Sequence, residues 1–184
     1  MLHTAEITSK KFKDFRAVAN IYTSAFPPSG QAPMWFLLHR AKKTHIKFNA
    51  YYDGERVIGL AYFVVYARAC YVVRLAVDTE CQSKGYGSQL LDSIKAAYPN
   101  NRIILAIEME DENADNNEQR KKRRQFYLRN GFVSTGISSE LKGVTYDLLV
   151  CNGECTPAEF FVLYKKFLGA IVFAFLKPRL VSLT

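Results

Sequence analysis

At 184 residues, 49% of them hydrophobic, the chain is long enough to fill one core and too short for two ordinary domains, so residues 1–184 are expected to form a single domain. Its formal charge of +8 favours anionic ligands or acidic partners, but does not by itself mean DNA. Cys70, Cys81, Cys151 and Cys155 form no paired ligand spacing and no histidine stands near the last two, which argues against a metal centre and for incidental thiols.

The opening MLHTAEITSKKFKDF alternates polar and apolar residues and has no apolar h-region, so a cytoplasmic protein is expected. Apolar residues at 12, 15, 18, 19, 22 and 26 then predict a helix over Lys11 to Phe26, stopped by Pro27 and Pro28. PMWFLLHRAKK predicts a second helix with Pro33 in its first turn. HIKFNAYYDGERVIGLAYFVVY predicts two strands joined at Asp53-Gly54, a dipeptide suited to the positive φ angles of a hairpin. A third strand follows at Cys70 to Val77, then a helix from about Gly85 to Tyr98 and the strand RIILAIEM. After the polar DENADN comes a helix stopped at Asn130-Gly131, where glycine takes a left-handed cap; FVSTGI and VTYDLLV are the closing strands. The implied class is α+β, a three-layer arrangement in which a mixed, mostly antiparallel sheet with one parallel βαβ step is flanked by helices.

The stretch CQSKGYGSQLLDSI joins strand to helix through two glycines one residue apart. Such a junction aims unpaired backbone N–H groups at one point, with the positive end of the helix dipole behind them. Gly85 and Gly87 let a phosphate approach the backbone, and Lys84 adds charge. The alternative is a tight turn with no ligand. The nucleotide fingerprints do not fit: GYGSQL lacks the third glycine of GxGxxG, and no GxxxxGK[ST] occurs.

Gln82, Gly85 and Gly87, behind the strand RLAVD, resemble the acetyl-CoA signature Q/R-x-x-G-x-G/A of the GNAT N-acetyltransferases. RRQFYLRNGFVSTG resembles that family's tyrosine-bearing helix and glycine-phenylalanine turn, and the two motifs stand in the family's order. The resemblance covers most of Ala5 to Val150 and weakens beyond Cys155; at Arg120 many members carry an asparagine instead. It implies the GNAT acyl-CoA acyltransferase fold, acetyl-CoA as co-substrate and a primary amine as acceptor. It also implies a cofactor site at Leu75, Ala76, Val77, Gln82, Ser83, Lys84, Gly85, Tyr86, Gly87 and Ser88. Acceptor pockets in the family use the first two helices, which here offer Trp35, Phe36 and His39.

Transfer of an acetyl group from a thioester to an amine needs a free amine, a donor for the carbonyl oxyanion and a proton for the departing thiolate. The resemblance assigns the oxyanion to a backbone N–H near Val77, the acid to Tyr127 and the base to Glu108, directly or through water. Each has a plainer reading: Tyr127 as a core aromatic beside Phe126, and Glu110 to Asp115 as a solvated acidic loop. An acyl-cysteine route through Cys81 lacks a histidine to activate it. Without Tyr127 and Glu108 in those roles, the same fold would be a non-catalytic acetyl-CoA-binding module.

Arg120 to Arg124, RKKRR, reads as a solvated helix face, part of it available to cofactor phosphates, rather than a nucleic-acid patch, since no recognition motif accompanies it. Thr156, Pro157 and Glu159 stand in capping-box order and predict one helix over 156–176. Its second half, FLGAIVFAFL, is apolar all round and too short to span a bilayer. The expected cover is the protein's own core or a second copy of the chain, with contact at a membrane surface or with a hydrophobic acceptor as the alternative.

Overall fold

In a computed structural model, described here over residues 2–141 and 143–182, contacts divide the chain into two compact units. These are Met1–Ala67 with Val72–Pro99, and Arg68–Tyr71 with Asn100–Thr184. One strand, β4 (Ala69–Val77), runs through both.

The first unit holds strands β1 (His3–Glu6), β2 (Ile46–Asp53) and β3 (Arg56–Tyr66), most of β4, and helices α1 (Phe15–Ala25), α2 (Met34–Ala41) and α3 (Tyr86–Ala97). β1 pairs antiparallel with β2, and β2 with β3, across a bulge at Tyr51/Tyr52. The hairpin turns where the sequence predicts it, with Gly54 at φ 58°. Val57 to Val64 are buried without interruption, which requires cover on both faces of β3. Both α1 and α3 pack against that strand. α1 presents Val18, Ile21 and Tyr22 to the core, and α3 presents Leu90, Leu91 and Ile94.

α1 begins at Phe15, not at Lys11 as the apolar spacing predicts. Residues 9–14 form turns instead, Phe12 and Phe15 donating to the carbonyls of Ser9 and Phe12. Asp14 is drawn to the sheet by the Tyr52 hydroxyl, 2.9 Å away. β1, which the sequence analysis does not predict, is an edge strand that needs β2 to exist.

The second unit holds β5 (Arg102–Glu108), α4 (Asn117–Arg129), β6 (Val133–Leu141), β7 (Val144–Cys151), α5 (Pro157–Leu168), α6 (Ala170–Phe175) and β8 (Arg179–Ser182). β7 pairs antiparallel with both β5 and β6, and β8 pairs antiparallel with β6. The Arg102 N–H donates to the Arg68 carbonyl, so β4 and β5 start side by side. The strand order β1-β2-β3-β4-β5-β7-β6-β8 makes a mixed eight-stranded sheet with helices, as the sequence class predicts. Gly131, at φ 82°, provides the left-handed end of α4.

The segment predicted as one helix over 156–176 is two. Thr156 and Glu159 do form the capping box, and α5 buries Phe160, Leu163, Tyr164, Phe167 and Leu168. Gly169, at φ 82° and ψ 161°, then breaks the backbone, and α6 buries none of its residues. Cover by the core is therefore partial. Phe173 packs edge-on against Phe161 and Tyr164, while Phe175 and Ile171 are 84% and 79% exposed.

Candidate active site

Leu75 to Ser88 belong to the first unit. The Asp78 N–H donates to the Ile58 carbonyl, so β4 stays paired with β3 to its end. β3 comes close here: a Cβ on Gly59 would lie 2.6 Å from the Ala76 carbonyl oxygen and 2.9 Å from a Leu90 methyl. Beyond Val77 the chain makes one turn of 3-10 helix, Thr79–Cys81, capped by the Asp78 carboxylate accepting from the Glu80 N–H. Cys81 is buried in that turn.

The glycine turn follows. Ser83 at φ 62° and Gly85 at φ 81° both take left-handed backbone, and Gly85 is the N-cap of α3 with no side-chain cap. The first helical bond at this end runs from the Gln89 N–H to the Gly85 carbonyl. Helix geometry accordingly leaves the N–H groups of Tyr86, Gly87 and Ser88 without intrahelical partners. A Cβ on Gly85 would meet nothing within 4 Å. Glycine is required there by its φ, and the space beside its Cα is open.

Side chains hold this turn from outside. Arg56 bridges Asp78 (3.1 Å) and Glu80 (2.6 Å), and the Tyr86 hydroxyl donates to Asp53 of the hairpin, which raises the Tyr86 pKa. The Lys84 ammonium donates to the Glu80 carbonyl at 3.0 Å, which keeps it beside the turn.

Glu108 and Tyr127 belong to the second unit. Tyr127 is the buried residue of α4, packed edge-on against Phe126 and Phe132, and burial pushes its phenol up to about 12. It is protonated throughout the neutral range. Glu108 ends β5 with Oε2 held by Arg120 Nε and Asn116 Nδ2, both at 3.2 Å, and by Arg123 at 3.8 Å. Arg120 also donates to the Met109 carbonyl and to Asn116, so it ties the start of α4 to the end of β5.

The run Arg120 to Arg124 is therefore not simply a solvated face. Three of its arginines enter ion pairs, and Lys121 pairs with Glu118. The most buried pair was not foreseen: Asp147 on β7, 1% exposed, accepts from Arg124 Nη1 and from the Ser134 hydroxyl, each at 2.7 Å. An acidic residue between Tyr146 and Leu148 in a closing strand was the available signal. The first unit has a counterpart in Arg74. It donates to the carbonyls of Val73 and Gly30, lies over the Phe26 ring, and leaves a buried Nε unpartnered among the described residues. On α2, Trp35 is exposed and stands edge-on to Phe36.

Among the described residues no cluster of metal-ligating side chains occurs. All four cysteines are free and buried, and burial pushes the Cys70 and Cys155 thiols up to about 11.

Residues 44–134, which span β2 to the start of β6, match the acetyltransferase (GNAT) domain family. The chain carries a GNAT acetyltransferase domain. No curated protein sequence matches it. Among solved structures, a protein assigned to the GNAT acetyltransferase family from Bacteroides thetaiotaomicron is 20% identical, with a TM-score of 0.73 over 93% of this chain and 98% of its own. A GNAT acetyltransferase from Elizabethkingia anophelis with acetyl-CoA bound is 12% identical, with a TM-score of 0.56 over 82% and 97%. The ribosomal-protein-S18-alanine N-acetyltransferase of Escherichia coli is 16% identical, with a TM-score of 0.56 over 85% and 96%. The GNAT fold thus extends over most of the chain, including elements outside the matched domain.

Proposed function

We propose that this protein is a cytoplasmic N-acetyltransferase that moves the acetyl group of acetyl-CoA to a primary amine by direct attack in a ternary complex. The observation that carries the reading is the turn from Gln82 to Ser88. Left-handed backbone at Gly85, a helix start with no side-chain cap and open space beside the Gly85 Cα fit a diphosphate, inside the segment that matches the GNAT domain. The acetyl-CoA in the Elizabethkingia relative and the amine acetylated by the Escherichia coli relative support the two substrates.

In this reaction the amine nitrogen attacks the thioester carbon, the carbon–sulfur bond breaks, and the thiolate leaves with a proton. The backbone of Leu75 to Val77 is assigned the acyl arm of the cofactor, with the Val77 end supplying the oxyanion donor. Tyr127 is assigned the proton for the thiolate, a role its raised pKa permits by keeping the phenol protonated. Glu108 is assigned the amine proton, taken directly or through water; its Oε2 is contested by two guanidinium groups, so relay through water is favoured.

A second reading, an acetyl-CoA-binding module without turnover, draws support from the packing of Tyr127 between two phenylalanines and the engagement of Glu108 by arginines. Thiol release from acetyl-CoA, measured against a panel of primary amines with calorimetric binding in parallel, separates the two. Amine-dependent release is expected; tight binding with no release for any amine would establish the module instead.

A further inference from the structure

We infer that α6 docks this protein on an anionic phospholipid surface, with Ile171 and Phe175 entering the boundary between headgroups and acyl chains. The two side chains stand one helical turn apart, on the same face. They are 79% and 84% exposed, and Val162 of α5 adds a third exposed apolar group. α6 is held to its unit from its other side, where Phe173 meets Phe161 and Tyr164. A six-residue helix of sequence AIVFAF, none of it buried, cannot rest in water without cost.

Charge selects the occupant. From residue 160 to the end of the chain the ionisable side chains other than tyrosine are Lys165, Lys166, Lys177 and Arg179, with no acid among them. Lys177 sits over the Phe161 ring, 5.2 Å from its centroid, at the margin of the apolar surface. Arg179 stands opposite Glu140 in the β6–β8 register, so Lys165 and Lys177 carry the charge offered to the surface. A second copy is the poorer partner, because a two-fold interface would set these cations against themselves. An anionic bilayer offers acyl chains to the apolar face and phosphates to the lysines, and needs no groove of matching shape. No helix among the described residues is long and apolar enough to cross a membrane, so the contact is peripheral.

The test is sedimentation of the full chain with phosphatidylcholine vesicles, with and without phosphatidylserine. Binding is expected for the phosphatidylserine vesicles alone, weakening as salt screens the lysines. Ile171→Ser with Phe175→Ser should lower partitioning at least about tenfold, with circular dichroism unchanged because both side chains are exposed. Lys165→Gln with Lys177→Gln should also weaken it and flatten the salt dependence. The inference is overturned by failure to sediment with either vesicle, by equal binding to both, or by full binding of the serine variant. A wild-type dimer in light scattering that the serine variant converts to monomer would overturn it in favour of a second copy.

Discussion

Gly85 and Gly87 make a paired test of the phosphate turn, because alanine should affect stability in opposite directions at the two positions while weakening binding at both. At Gly85 a Cβ meets no atom within 4 Å, so the cost is the left-handed backbone alone, about 1 to 2 kcal/mol. Gly87 is the second residue of α3, in helical backbone, where alanine is favoured over glycine by roughly 1 kcal/mol. Gly85→Ala should therefore be less stable than wild type in urea unfolding followed by circular dichroism, and Gly87→Ala more stable. Both place a methyl group where the diphosphate would approach the amides, so both should bind acetyl-CoA at least about tenfold more weakly by calorimetry, equivalent to about 1.4 kcal/mol. A Gly87→Ala variant that gains stability and keeps native affinity would refute the assignment and leave the turn as a structural junction.

Tyr127→Phe keeps the ring between Phe126 and Phe132 and removes the proton, so kcat should fall about 10²-fold with acetyl-CoA affinity unchanged; an unchanged kcat would return Tyr127 to packing alone. Asp147→Ala leaves Arg124 and Ser134 facing an empty partner and should destabilise the second unit by about 3 kcal/mol in denaturant unfolding, a loss that Asp147→Glu should not repair. Alkali should destabilise the protein: Tyr51 and Tyr127 are pushed from 10.0 up to about 12 and Tyr62 is raised too, in each case chiefly by burial. The folded state holds these protons more tightly, so the stability they confer is complete below pH 10 and is lost as pH rises toward 12, at up to about 1.4 kcal/mol per pH unit for each tyrosine. Flat stability between pH 9 and 11.5 by denaturant titration would contradict the burial of these phenols.

The features legible in the sequence are those decided by neighbours along the chain. The hairpin at Asp53-Gly54, the glycine turn before α3, the capping box of Thr156 and Glu159 and the left-handed end at Gly131 all rest on local backbone chemistry. What escaped depends on distant partners. α1 loses its expected first turn where Asp14 meets Tyr52, and β8 exists because β6 offers it a free edge. The predicted helix over 156–176 runs through Gly169, because the break there accompanies a tertiary contact, Phe173 against Phe161. The candidate site divides in the same way. The cofactor turn carries its own signature in Gln82, Gly85 and Gly87. The basic run of α4 looked solvated because its partners, Glu108 and Asp147, come from β5 and β7.

Direct acetyl transfer is tested most simply by mass spectrometry of both the amine and the protein after incubation with isotopically labelled acetyl-CoA. The account predicts label on the amine nitrogen, free thiol in equal amount and an unlabelled protein at every time point. Label appearing first on Cys81 or another side chain, and passing from there to the amine, would contradict it.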